Sequence, residues 1–236
     1  MLKSTTNPQI ALNLNIHDDA TFDNFFILKK NQPLLTNLHT MAKGRGEHFI
    51  YFWGNHASGK THLLQACCHT SNQLKLKTFY LSLKNLKNLR PAVLDYLESM
   101  HLICIDDIDS IAAQPAWEKA FLHFFNRVHD AGKRLIIAGN KAPNTLGIEL
   151  PDLVSRLSWG IVFQLYELTD EEKIHALILR FKARGLLLSE KVANFLFYRC
   201  QRDMKTLFSM LEKLDQASFQ AQHKLTIPFV KSVLGL

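Results

Sequence analysis

No apolar stretch in this chain of 236 residues approaches the ~18 consecutive residues that a membrane-spanning helix needs. Met1 to Asp19 also lacks the continuous apolar core of a secretory leader. The expectation is a cytoplasmic protein with no membrane partner. Cysteine is scarce: Cys67, Cys68, Cys104 and Cys200 are the four, none has metal-binding spacing, and the first three sit inside apolar segments. A disulfide framework and a structural zinc site are therefore excluded, and reduced thiols are expected. The eleven histidines form no ligand constellation, and nothing resembles a Ser-His-Asp nucleophile system. Repeats, low-complexity tracts and dense Lys/Arg clusters are missing as well. The net charge of +7 suits an anionic neighbour, nucleic acid or an acidic protein surface, although solvated lysines alone would give the same count. A hydrophobic content of 47% excludes global disorder, and the length allows one sizeable core with a small satellite.

What is present is a complete phosphate-binding loop. Gly54-Asn55-His56-Ala57-Ser58-Gly59-Lys60-Thr61 follows the apolar run Phe49-Ile50-Tyr51-Phe52-Trp53 and precedes the helix-like Leu63-Leu64-Gln65-Ala66. Glycines at both ends let backbone N–H groups wrap a polyphosphate, Lys60 supplies a mobile cation, and the Thr61 hydroxyl is a ligand for Mg²⁺. The following helix points its positive end at the same anion. His56 within the loop and His62 just after it belong to the nucleotide-binding set by position, without a catalytic role.

Further strands are predicted over 77–83, 102–106, 134–138 and 161–165. Helical patterns separate them, as over 116–131, where Trp117, Phe121, Phe124, Phe125 and Val128 keep a 3.6-residue period. Alternating strands and helices mean an α/β parallel sheet with helices on both faces and ligands at the carboxyl strand ends. From Thr169 the strands stop. Thr169-Asp170-Glu171-Glu172 reads as a capping box, Gly185 ends the helix it opens, and helices over 189–200, 203–222 and 226–234 complete a small helical domain. The expected division is a tail over 1–20, a nucleotide-binding domain over 21–166 and a helical lid over 167–236. Within the tail, Asn7-Pro8 opposes a helix, and Gln9-Ile10-Ala11-Leu12-Asn13-Leu14 carries alternating aliphatics. These either pack on the domain as a short strand or dock as a peptide in another protein's pocket.

Leu102-Ile103-Cys104-Ile105 ends in Asp106 and Asp107, the form of a buried central strand delivering carboxylates to a phosphate site. Asp106 suits Mg²⁺, usually through water. Asp107 has the position to orient an attacking water, although it is one methylene shorter than glutamate. Asn140 follows a strand where a γ-phosphate would lie, though an Asn before Lys141-Ala142-Pro143 also suits a plain turn. Arg156 and Arg202 stand out only in this company, since lone arginines mostly sit on solvated faces.

With the phosphate loop, the Asp106-Asp107 pair, Asn140, Arg156 and Arg202 in this order, the chain resembles the AAA+ ATPases, and among them the branch of the bacterial initiator DnaA. Its most specific pieces are Pro151 to Gly160, Arg202 to Phe208 and Lys224 to Lys231. The resemblance implies a P-loop AAA+ domain with a helical lid, holding ADP or ATP with Mg²⁺. It implies that Arg156 is an arginine finger acting in trans, and that Arg202 is a second sensor reaching the protein's own nucleotide. It places a motif for the DNA polymerase III sliding clamp (β subunit) on Gln9, Ile10, Leu12 and Leu14. The implied function is negative regulation of replication initiation, in which the ADP-bound protein and the DNA-loaded clamp stimulate hydrolysis of ATP on DnaA. Weak or no ATPase activity of its own, a homo-oligomer, and an end to the resemblance before any origin-reading domain are further expectations. An autonomous ATPase, such as a helicase loader or remodeller, is the alternative.

Overall fold

The structure, a computed structural model, describes residues 20–183, 185–199, 204–221 and 225–236. In chain order these form α1 (Gln32–Ala42), β1 (Phe49–Trp53), α2 (Lys60–Gln73), β2 (Thr78–Ser82), β3 (Leu102–Asp106), α3 (Pro115–Asp130), β4 (Arg134–Gly139), α4 (Pro151–Leu157) and β5 (Ile161–Gln164). Then come α5 (Asp170–Ala183), α6 (Glu190–Arg199), α7 (Met204–Ala221) and α8 (Ile227–Leu234). The clamp-motif residues Gln9, Ile10, Leu12 and Leu14, and Arg202, lie outside the described residues.

The strands form one sheet in the order β2-β3-β4-β1-β5, and the recorded pairings are parallel. Period-two alternation divides β1 to β4 between two cores. Tyr51, Leu81, Ile103, Ile105, Leu135 and Ile137 face a cluster built with Trp117, Phe121, Phe124 and Phe125 of α3 and with Leu153 and Leu157 of α4. Ile50, Phe52, Tyr80, Cys104, Ile136 and Ala138 face the other, with Leu34, Leu35 and Leu38 of α1 and Leu63, Leu64 and Cys67 of α2. Covered on both sides, β3 is buried at all five positions, as an unbroken apolar run predicts. The edge strand β5 alternates between half-buried and exposed.

The connection from β2 to β3 departs from the expected helical separator. It is three short 3₁₀ turns, Leu86–Asn88, Pro91–Leu94 and Leu97–Ser99. The leucines explain it: Leu83, Leu86 and Leu89, then Leu94 and Leu97, recur every third residue, and a three-residue turn stacks i over i+3 on one side. All five pack into or against the α3-side core. Pro91 removes an N–H and keeps the segment from merging into one α-helix.

The last four helices have a core of their own, in which Leu177, Phe181, Leu196, Phe197, Leu211, Leu214 and Val230 are buried. Its first helix opens with the anticipated reciprocal cap: Thr169 N donates to Glu172 Oε2 at 2.8 Å and Glu172 N donates to Thr169 Oγ1 at 3.3 Å. Between sheet and lid, the buried Asn31 side chain grips one backbone unit. Its Nδ2 donates to Tyr166 O and its Oδ1 accepts from Tyr166 N, both at 2.9 Å.

Candidate functional site

Parallel strands bring their carboxyl ends together, so β1 delivers Gly54, β3 delivers Asp106 and Asp107, and β4 delivers Asn140 to one rim. The loop between β1 and α2 is shaped by its two glycines. A Cβ on Gly54 would stand 2.6 Å from Leu165 O, and Gly59 sits at φ +100° where a Cβ would stand 2.7 Å from the Phe25 ring. Only glycine allows such contact together with a left-handed backbone. Phe25 thus lies over the loop, where its ring also meets His62 at 5.5 Å, and His62 Nε2 is 2.9 Å from Thr21 O. The segment before α1 therefore roofs the start of α2.

Lys60 folds back on the loop, its Nζ donating to Gly54 O and Asn55 O at 2.8 Å each. Burial lowers its pKa, while the charges of Asp106, Asp109, Asp107 and Glu167 pull the other way. Thr61 Oγ1 donates to Asp106 Oδ2 at 2.6 Å, and Tyr80 Oη donates to the same oxygen at 3.0 Å. Asp106 is 1% exposed. Burial, then the neighbouring Asp107 charge, raises its carboxyl above the usual range, and the Thr61, Tyr80 and Asp107 N–H donors oppose that rise.

Asp107 stands in the left-handed region at φ +57°, which turns its carboxylate toward β2, where Oδ2 accepts from Ser82 Oγ at 2.8 Å. Asn140 is held through its backbone: its N–H lies 2.9 and 2.8 Å from the two oxygens of Asp109. The motif reading did not single out Ser82, Tyr80 or Asp109. A serine at the end of a strand and a third aspartate in Asp106-Asp107-Ile108-Asp109 carry no signal until the pairing Ser82↔Asp106 sets them at the rim.

The residues fit a polyphosphate. Ser58 Oγ is buried with no hydrogen-bond partner among the described residues, an orphan acceptor and donor that an occupant of the loop would satisfy. The two close-packed glycines leave a backbone cradle, and Lys60 stands ready to exchange loop carbonyls for phosphate oxygens. The oxygens of Thr61 and Asp106 are hard donors of the kind Mg²⁺ takes.

Arg156 lies elsewhere. It lies in the last turn of α4, and the chain then passes through Gly160, whose Cβ would stand 2.6 Å from Phe49 O, into β5 with Ile161 opposite Ile50. Residues 157–160 therefore meet the beginning of β1, while the phosphate loop leaves its end, roughly 13 Å along the strand. The Arg156 guanidinium carbon sits 4.8 Å from the centre of the Trp159 ring. No carboxylate among the described residues pairs with it.

A parallel sheet with a phosphate loop after β1, carboxylates closing the buried interior strand β3 and a helical unit after it in the chain defines a P-loop protein of the AAA+ class. Comparison with known proteins is more specific. A family model described as the bacterial DnaA ATPase domain matches residues 16–164, and one described as the Hda lid domain matches residues 170–234. An uncharacterized protein of Haemophilus influenzae is 44% identical over 231 residues, covering 98% of this chain and all of that protein. Domain III of the Thermotoga maritima replication initiation protein DnaA superposes with a TM-score of 0.73 at 23% identity, over 92% of this chain and 96% of that one. AMPPCP-bound DnaA from Aquifex aeolicus gives 0.69 at 22% identity, over 85% of this chain and 66% of that one. The chain belongs to the DnaA-related AAA+ family, with a lid of the Hda type.

Proposed function

We propose that this protein is a negative regulator of replication initiation that presents Arg156 to ATP held by DnaA and so stimulates its hydrolysis. In this reading residues 21–166 and the lid over 167–236 hold ADP, with Mg²⁺ at Thr61 and Asp106, and residues 9–14 bind the sliding clamp on DNA. The observation that carries the reading is the position of Arg156. A guanidinium beyond the far end of β1 from its own phosphate loop, stacked on an exposed ring and free of ion pairs among the described residues, suits a phosphate that another subunit brings.

Phosphoryl transfer gathers negative charge on the transferring group, and a guanidinium placed against it lowers the barrier; comparable fingers accelerate hydrolysis on the order of 10³ to 10⁵-fold. Within this chain, Gly54 to Thr61 bind and orient a nucleotide, and Asp109 holds Asn140 at its rim. Magnesium, when bound, neutralises phosphate charge there. One oxygen of the Asp107 carboxylate is taken up by the Ser82 hydroxyl, which favours a slow or silent site of its own. A tail on the clamp raises the local concentration of the partner without a new contact at the reacting phosphates.

The experiment mixes the full chain with ATP-loaded DnaA and clamp-loaded DNA. Arg156→Ala and the pair Leu12→Ala/Leu14→Ala should each abolish stimulation while nucleotide binding persists. Stimulation unaffected by Arg156→Ala overturns the finger, and wild-type stimulation indifferent to the clamp overturns the tail. The autonomous-ATPase reading rests on the intact Lys60, Thr61, Asp106 and Asp107, and predicts steady hydrolysis by the chain alone, lost in Asp107→Asn.

A further inference from the structure

Of the three tryptophans, Trp53 is half-buried, Trp117 is buried and Trp159 leaves 56% of its surface in solvent. An indole left open forgoes the stabilisation its burial would bring. Its place is fixed by backbone on both sides. Trp159 N donates to Arg156 O at 3.1 Å in the turn that closes α4, and Gly160 is pressed against Phe49 at the start of β1. The ring has two neighbours from different elements: the Arg156 guanidinium, 4.8 Å from its centroid, and the His129 imidazole near the end of α3, 4.6 Å away and tilted 35°. His129 is held in turn by Asp130, whose Oδ1 lies 3.3 Å from Nδ1.

We propose that Trp159 is a positioning residue for Arg156: the indole is a platform that holds the guanidinium extended over the surface before a partner arrives, and His129 braces that platform. The proposal rests on the reading that Arg156 acts in trans. A free arginine is rich in rotamers, and a group that must meet developing charge loses rate when it is ordered only at the moment of contact. Stacking over an aromatic face orders it beforehand and leaves its N–H donors unspent, which an ion pair with a carboxylate would not do.

The test follows ATP hydrolysis on DnaA, with clamp-loaded DNA present, against the concentration of the full chain. Trp159→Ala should lower the maximal stimulated rate on the order of 3- to 5-fold, the worth of an exposed stack, and leave the half-saturating concentration near the wild-type value. Trp159→Phe, which keeps a ring, should recover most of that rate. In the free chain, Arg156→Ala should increase acrylamide quenching of the exposed tryptophan. Full stimulation by Arg156→Ala overturns the trans reading and this proposal together. An inactive Arg156→Ala beside a Trp159→Ala variant with the wild-type maximal rate overturns the positioning role alone. A loss found wholly in the half-saturating concentration makes Trp159 a docking contact and also overturns it. Should Trp159→Ala fail to fold by circular dichroism, Trp159→Phe and the quenching decide, and quenching unchanged by Arg156→Ala is contrary.

Discussion

At the carboxyl end of the sheet Thr61, Tyr80, Asp106 and Asp107 are bonded to one another or to their neighbours and Lys60 is folded onto its own loop, whereas at the amino end Arg156 touches an exposed indole and no carboxylate among the described residues. The first end resembles a receptor whose groups occupy one another until a ligand arrives. The second resembles a ligand-seeking group without a receptor. Both carry charge, so charge does not distinguish them. What distinguishes them is the surrounding charge: Lys60 lies in the field of Asp106, Asp109, Asp107 and Glu167, whereas Arg156 pairs with no carboxylate among the described residues.

The comparison breaks hardest at Lys60. Lys60→Ala should weaken binding of a fluorescent ADP analogue on the order of 100-fold, the worth of a charge-assisted contact in a partly buried site, and leave the Arg156 end intact.

Glu118 joins the segment before α3 to the segment before α4. It is buried, and its carboxylate accepts from the N–H groups of Ala113, Glu149 and Leu150, which anchors the approach to α4. Glu118→Ala strands those donors and should cost about 3 kcal/mol, read as a melting temperature lower by roughly 6–12 °C. Asn31→Ala frees the Tyr166 backbone and should cost about 1–2 kcal/mol in the same measurement, with α5 to α8 still helical by circular dichroism.

The smallest effect has the opposite sign. Burial, then Asp107, raises the Asp106 carboxyl above its ordinary value, so the folded chain keeps that proton to higher pH than the unfolded one. Stability from this group is therefore greatest below the ordinary carboxylate range and falls as pH climbs through the interval up to the raised value. Asp106→Asn should raise the melting temperature of the ligand-free protein at neutral pH by roughly 2–4 °C. The gain should shrink as the buffer is taken below the carboxylate range.

Local chemistry was legible in the sequence, and long-range chemistry was not. Strand ends, the glycines of the loop and the Thr169 cap depend on residues a few positions apart, so their periods and spacings announce them. The 3₁₀ run over 86–99 was missed because a leucine every third residue reads as an imperfect α-helical face until the packing selects the tighter turn. Asn31 finds Tyr166 across 135 positions and Glu118 finds Leu150 across 32, and a buried asparagine or glutamate has no local signature that sets it apart from a surface one. The Trp159 stack lay inside a segment already noted, yet its meaning depends on α3 bringing His129 beside it.

The most direct measurement loads DnaA with radiolabelled ATP and this chain with unlabelled ADP, then follows release of labelled phosphate in the presence of clamp and DNA. Arg156→Ala in this chain should remove the stimulation, and Asp107→Asn in this chain should leave it at the wild-type rate. Label released at full speed with Arg156→Ala, or lost with Asp107→Asn, would contradict an arginine that works on another protein's nucleotide.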